Sequence, residues 1–200
     1  MTDKNISCSN KKSRLAGITL LYFVGVLSGV ILYSFPPIGY SGKFEASAEN
    51  FISARLNKEF AEILVNSFCE PFIMLLICFM LGLSAIAHPA EYLVPVFHGF
   101  GTGITISGFY AEYAFQGIGM SAVMIIPGAV ISAFAIIIAV REALNMSSEI
   151  CSAAFGRNST AAQIDFRLYF TKYVILCAMI VAGAFAESML TFFFADLWQV

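Results

Sequence analysis

Five apolar runs recur along this chain: Leu15–Phe35, Phe68–Ala87, Tyr92–Tyr110, Ile118–Val140 and Tyr173–Ala195. A helix rises about 1.5 Å per residue, so about 20 apolar residues cross the roughly 30 Å of hydrocarbon in a bilayer. Each run comes close to that length. The pattern predicts an all-α polytopic membrane protein, a bundle of five transmembrane helices with one extracytoplasmic amphipathic helix. Composition points the same way. Hydrophobic residues make up 59% of the chain and charged residues 12%, where a soluble domain carries about 25% charge. One membrane domain, 15–200, is expected behind a polar cytoplasmic tail, 1–14, that reads as disordered. The first run is followed by Phe35-Pro36-Pro37 and not by a small-residue cleavage site, so it reads as a retained span and not as a signal peptide.

Charge excludes some functions and orients the chain. A net charge of −2 offers no basic patch for nucleic acid. Of the eleven Lys and Arg, four precede the first span (Lys4, Lys11, Lys12, Arg14) and four lie between spans four and five or at their edges (Arg141, Arg157, Arg167, Lys172). The other three, Lys43, Arg55 and Lys58, follow span one. With the N-terminus inside, eight cations fall inside and three outside, as the positive-inside rule requires. The C-terminus is then outside, with Trp198 as an interfacial anchor. Five cysteines (Cys8, Cys69, Cys78, Cys151, Cys177) without C-x-x-C spacing read as small buried hydrophobes.

Small residues mark packing surfaces. Gly25-x-x-x-Gly29 in span one, and Gly99, Gly103 and Ser107 in span three, are spaced to let helices approach closely, inside the bundle or toward a partner, a second copy included. Pro127-Gly128 predicts a kink in span four. Between spans one and two, Phe44–Leu64 is amphipathic, with Phe44, Ala48, Phe51, Ile52, Leu56, Phe60, Ile63 and Leu64 at helical spacing. It is the largest outer feature and the natural contact for an outside partner. Glu70-Pro71 reads as a helix start with an acidic first turn.

Two polar side chains inside the spans are candidate functional residues, Glu187 and His98. A carboxylate two-thirds of the way across span five costs about 2.5–3.5 kcal/mol on insertion scales, so Glu187 must face protein or water. Its readings are an ion or proton site, or a carboxyl bonded to a neighbouring helix. His88, Glu91 and His98 cluster near the inner end of spans two and three, but Pro89 and Pro95 break the spacing a metal site needs, and no metal is expected. Asn158-Ser159-Thr160 matches a glycosylation acceptor but falls inside. No nucleophile–base pair, phosphate loop or catalytic carboxylate pair stands out, so neither enzyme activity nor a cofactor is expected.

Four stretches carry a family likeness: Gly82-Leu83-Ser84-Ala85-Ile86, Phe97-His98-Gly99-Phe100-Gly101-Thr102-Gly103, Pro127-Gly128-Ala129-Val130-Ile131-Ser132-Ala133 and Arg141-Glu142-Ala143-Leu144. Through them the chain resembles the stage II sporulation protein M family. The resemblance implies a scaffold in the bacterial cytoplasmic membrane that localises peptidoglycan-degrading partners, stage II sporulation proteins D and P, during engulfment. It implies no catalytic residues. A rival expectation, from Glu187, is a small transporter or channel subunit.

Overall fold

The computed structural model describes residues 2–35, 53, 55, 60–84, 88–154 and 165–194. Most of the Phe44–Leu64 segment, Pro36-Pro37, Asn158-Ser159-Thr160 and Trp198 lie outside the described residues. Five long helices and one single turn follow in order: α1 (Thr2–Ser34), α2 (Phe60–Gly82), α3 (His88–Glu91), α4 (Leu93–Met124), α5 (Ile126–Ala154) and α6 (Phe166–Phe194). No strand occurs among the described residues. Four helices are long and apolar enough to cross a membrane: Ser13–Ser34, Phe60–Gly82, Ile126–Ala153 and Phe166–Phe194.

Two local expectations need correction. The polar N-terminal tail, read as disordered, is helical from Thr2, since no proline or glycine precedes Gly17 to stop it. Glu70-Pro71 is not a helix start, because α2 begins at Phe60 and carries Pro71 inside it. Proline removes one backbone donor, and helices packed in a membrane tolerate this where neighbours satisfy the freed carbonyl.

α4 is two arms, 93–113 and 115–124, joined at Ala114 (φ 48°, ψ −125°). Such a backbone suits the first corner of a type II′ turn, a position glycine prefers. The chain doubles back there, because a Cβ on Gly117 would run into the carbonyl of Phe109. Phe109, Met120, Met124 and Ile125 fill the space between the arms. The second arm passes almost directly into α5. Ile125 N–H donates to Ser121 O at 3.0 Å and Ala129 N–H to Ile125 O at 2.9 Å, carrying the helical path across Pro127.

The outside of the bundle is apolar. Leu20, Phe23, Leu27 and Ile31 form an exposed stripe on α1, matched by Met80, Phe134 and Phe170 elsewhere. A water-soluble bundle would hide these side chains, whereas lipid solvates them. The main core sits between α2, α5 and α6, around Leu75, Ile136, Val140, Tyr173, Leu176 and Ile180. Tyr169 and Tyr173 of α6 donate to the carbonyls of Phe79 (3.1 Å) and Ala139 (2.9 Å), binding α6 to α2 and α5.

α1 and the first arm of α4 run parallel with their backbones touching. A Cβ on Gly25 would meet the carbonyl of Val96, on Gly29 that of Phe100, on Gly99 that of Tyr22 and on Gly103 that of Val26. The structure thus places all four glycines of the two small-residue motifs in one internal seam. Ser107, one turn beyond Gly103, is also buried.

Candidate functional site

The kink expected at Pro127-Gly128 is instead a helix boundary at Ile125, with Pro127 in the first turn of α5, and beside it a cavity of about 50 Å³ lies inside the bundle. Its walls include Arg55, Ser67, Glu70, His98, Ser132 and Glu187. The two polar residues singled out from the sequence, Glu187 and His98, line this one cavity from α6 and α4.

Glu187 is 7% exposed, and its partner is Arg55, 1% exposed, whose guanidinium donates to Oε1. Arg55 also reaches Ser67 Oγ at 3.3 Å. Burying either charge alone costs several kcal/mol, and here each offsets the other at hydrogen-bonding range. Gly128 makes the space. A Cβ there would collide with Oε2 of Glu187 and lie 2.7 Å from its Cδ and 3.0 Å from its own Cβ. Pro127 sits in the first turn of α5, where proline is tolerated, and Gly128 beside it clears the floor under a carboxylate.

His98 is 3% exposed. Its Nε2 lies 3.2 Å from Ser132 Oγ, and its ring sits 5.8 Å from that of Tyr22, centroid to centroid. Its Nδ1 points toward Glu70 Oε1 at 3.7 Å, beyond hydrogen-bond length, and has no hydrogen-bond partner among the described residues. The side chain of Glu70 is 50% exposed. Gly101 leaves room for it, since a Cβ there would stand 2.8 Å from Glu70 Oε1. Thr102 and Thr105 also line the cavity and return their hydroxyls to the carbonyls of His98 and Gly101 at 3.1 and 3.0 Å. The cavity thus combines a matched ion pair with an imidazole facing a half-exposed carboxylate.

A second polar cluster lies around α3. The hydroxyl of Ser147 donates to Ser84 O at 2.7 Å and lies 2.9 Å from His88 Nδ1. Glu91 is fully buried, and neither of its oxygens has a well-formed hydrogen bond among the described residues. Burial pushes its carboxyl up to about 7, against a smaller opposing influence of the Ser147 hydroxyl. His88 and Glu91 thus sit in one cluster and His98 in the other, and no group of three metal-ligating side chains forms among the described residues.

The residue that sequence reasoning missed is Arg55, counted there as one of the outer cations. A signal existed. Arg55 falls three and four residues after Ile52 and Phe51, on the apolar side of the amphipathic run, where a cation needs a buried partner.

A family model described as stage II sporulation protein M matches residues 18–192 of the chain. The match takes in the glycine seam, Pro127-Gly128 and both members of the Arg55–Glu187 pair. No curated protein and no solved structure matches.

Proposed function

Because the chain belongs to the stage II sporulation protein M family, we propose that it is an integral membrane scaffold that recruits or localises peptidoglycan-remodelling enzymes during engulfment in sporulation. The observation that carries this reading is the Arg55–Glu187 pair. Arg55 belongs to the segment between spans one and two, and its pairing fixes that segment to the core of the bundle. A recruiting surface has to be held in one place, and a buried, mutually satisfied ion pair holds it. The same pairing uses up the carboxylate that a transport reading would employ. On this view the arm 93–113 is the fifth crossing, the N-terminus is cytoplasmic, and the Phe44–Leu64 segment is the outer contact for membrane-anchored hydrolases of the stage II sporulation protein D and P types.

The test is co-purification. The tagged chain is solubilised in mild detergent from its native cells and the bound proteins are identified. Cell-wall hydrolases in the eluate, lost when exposed positions in Phe44–Leu64 are changed, are the expected result. An eluate with no hydrolase from sporulating cells would sink the scaffold.

One observation favours a second reading. A cavity that holds an imidazole whose Nδ1 makes no hydrogen bond among the described residues, beside the half-exposed Glu70 carboxylate, suits a small transporter or channel subunit. Reconstituted vesicles decide between the two. Proton or cation flux abolished by Glu70→Gln, with the protein still folded, would establish transport and displace the scaffold.

A further inference from the structure

A long groove runs along the lipid-facing side of the bundle between α1 and α5, with α4 as its floor. Its walls are almost wholly apolar: Leu15 and Val26 of α1, Ile106 of α4, Val130 and Ile137 of α5. Arg141 closes one end, beside Leu15. From Ile126 to Arg141 the wall is fifteen residues of helix, about 22 Å. That exceeds the roughly 15 Å of hydrocarbon in one leaflet.

Width decides what fits. The groove holds about 530 Å³. Drawn out over about 22 Å, this is a long, thin apolar space of the shape an extended hydrocarbon chain fills.

Charge decides which lipid. The end that carries Arg141 also carries Arg14, the neighbour of Leu15, on an exposed turn of α1. Glu142 is shared at this end, its Oε2 taking Lys172 Nζ at 2.6 Å and its Oε1 standing 3.9 Å from Arg141, so one carboxylate faces two cations and the end keeps a positive balance. The side chain of Arg141 lines the groove, is 39% exposed and makes no hydrogen bond among the described residues. A guanidinium suits a phosphate, which it meets with a planar fork of donors.

We propose that the groove binds an anionic phospholipid, with an acyl chain between α1 and α5 and its phosphate held by Arg141 and Arg14. The experiment compares phosphatidylglycerol with phosphatidylcholine of the same chains, offered to the detergent-purified full chain, with retained lipid counted by native mass spectrometry. The expected result is preferential retention of phosphatidylglycerol, by about five-fold for each arginine engaged. The double variant Arg14→Gln/Arg141→Gln should bring the two lipids to parity. Val130→Trp, at a position already 47% exposed, should lower retention of both by narrowing the groove. Equal retention of the two lipids by the unaltered protein would overturn the proposal without any variant. So would a preference that survives the double arginine change, or lipid binding indifferent to Val130→Trp in protein that still elutes as a folded species.

Discussion

The two polar clusters of this bundle bury a carboxyl in opposite ways. Near the cavity, Glu187 is matched by Arg55 and further aided by the room Gly128 leaves. In α3, Glu91 has no cation and no well-formed hydrogen bond among the described residues, and its carboxyl is pushed up to about 7. The first solution keeps a charge and fixes two distant segments together. The second sheds the charge near neutrality and fixes nothing. A buried acid is therefore not one kind of residue. What faces it decides whether it acts as a clasp or as a group whose charge follows pH.

The largest effect expected from breaking this contrast is at Arg55. Arg55→Leu leaves Glu187 buried without its cation and should destabilise the detergent-solubilised protein by about 3–5 kcal/mol. Adding Glu187→Leu should recover most of that loss, because an apolar pair of similar volume is often neutral. Chemical-denaturant unfolding of the two single variants and the double variant measures the coupling. A double variant no more stable than Arg55→Leu would mean the pair is not a unit.

Next comes Glu91. Its carboxyl sits near 7 in the fold and near 4.5 in the unfolded chain, so the fold holds the proton more tightly. Below about pH 4.5 both states are protonated and Glu91 costs nothing. As pH rises from about 4.5 to about 7 the unfolded chain ionises first, and stability should fall by about 3 kcal/mol, then level off. Glu91→Gln should remove that slope, as seen in unfolding midpoints taken from pH 5 to pH 8. A slope unchanged in the variant would place its origin elsewhere.

Gly128→Ala sharpens the comparison from the other side. It pushes a methyl group into Glu187 and should cost about 1–3 kcal/mol, with no change in the pH slope assigned to Glu91. The smallest effect is expected at Ala114, remote from both carboxyls. Ala114→Gly relieves a left-handed backbone and should raise stability by about 1 kcal/mol, leaving both clusters unaltered. A loss on this substitution would contradict the turn described at that position.

Much of the architecture was legible because lipid imposes long apolar stretches. Glycine spacing then pointed to the surfaces that the structure packs into one seam, and the gap between Tyr110 and Ile118 contains the turn at Ala114. What was not legible depends on contacts between residues far apart in sequence. Charge counting assigns Arg55 by its position along the chain and is blind to a side chain that reaches inward to an acid 132 residues away. Glu70-Pro71 was read as a helix start because proline and acidic side chains favour the first turn, whereas a helix packed in a bilayer can carry proline in its interior. Glu91 lay in a short polar connection that looks solvated, and only the fold of α2, α3 and α5 around it shows the opposite.

The separation of Arg55 from Glu187 also sets an order of events during synthesis. At about 5–20 residues per second, the 132 residues between them take about 7–26 s to make. Through that interval the guanidinium has been made and its acid has not. Arg55 can meet its acid only once α6 has been made, so this contact closes late in synthesis, after the residues of α1 to α5 are already in place along the chain.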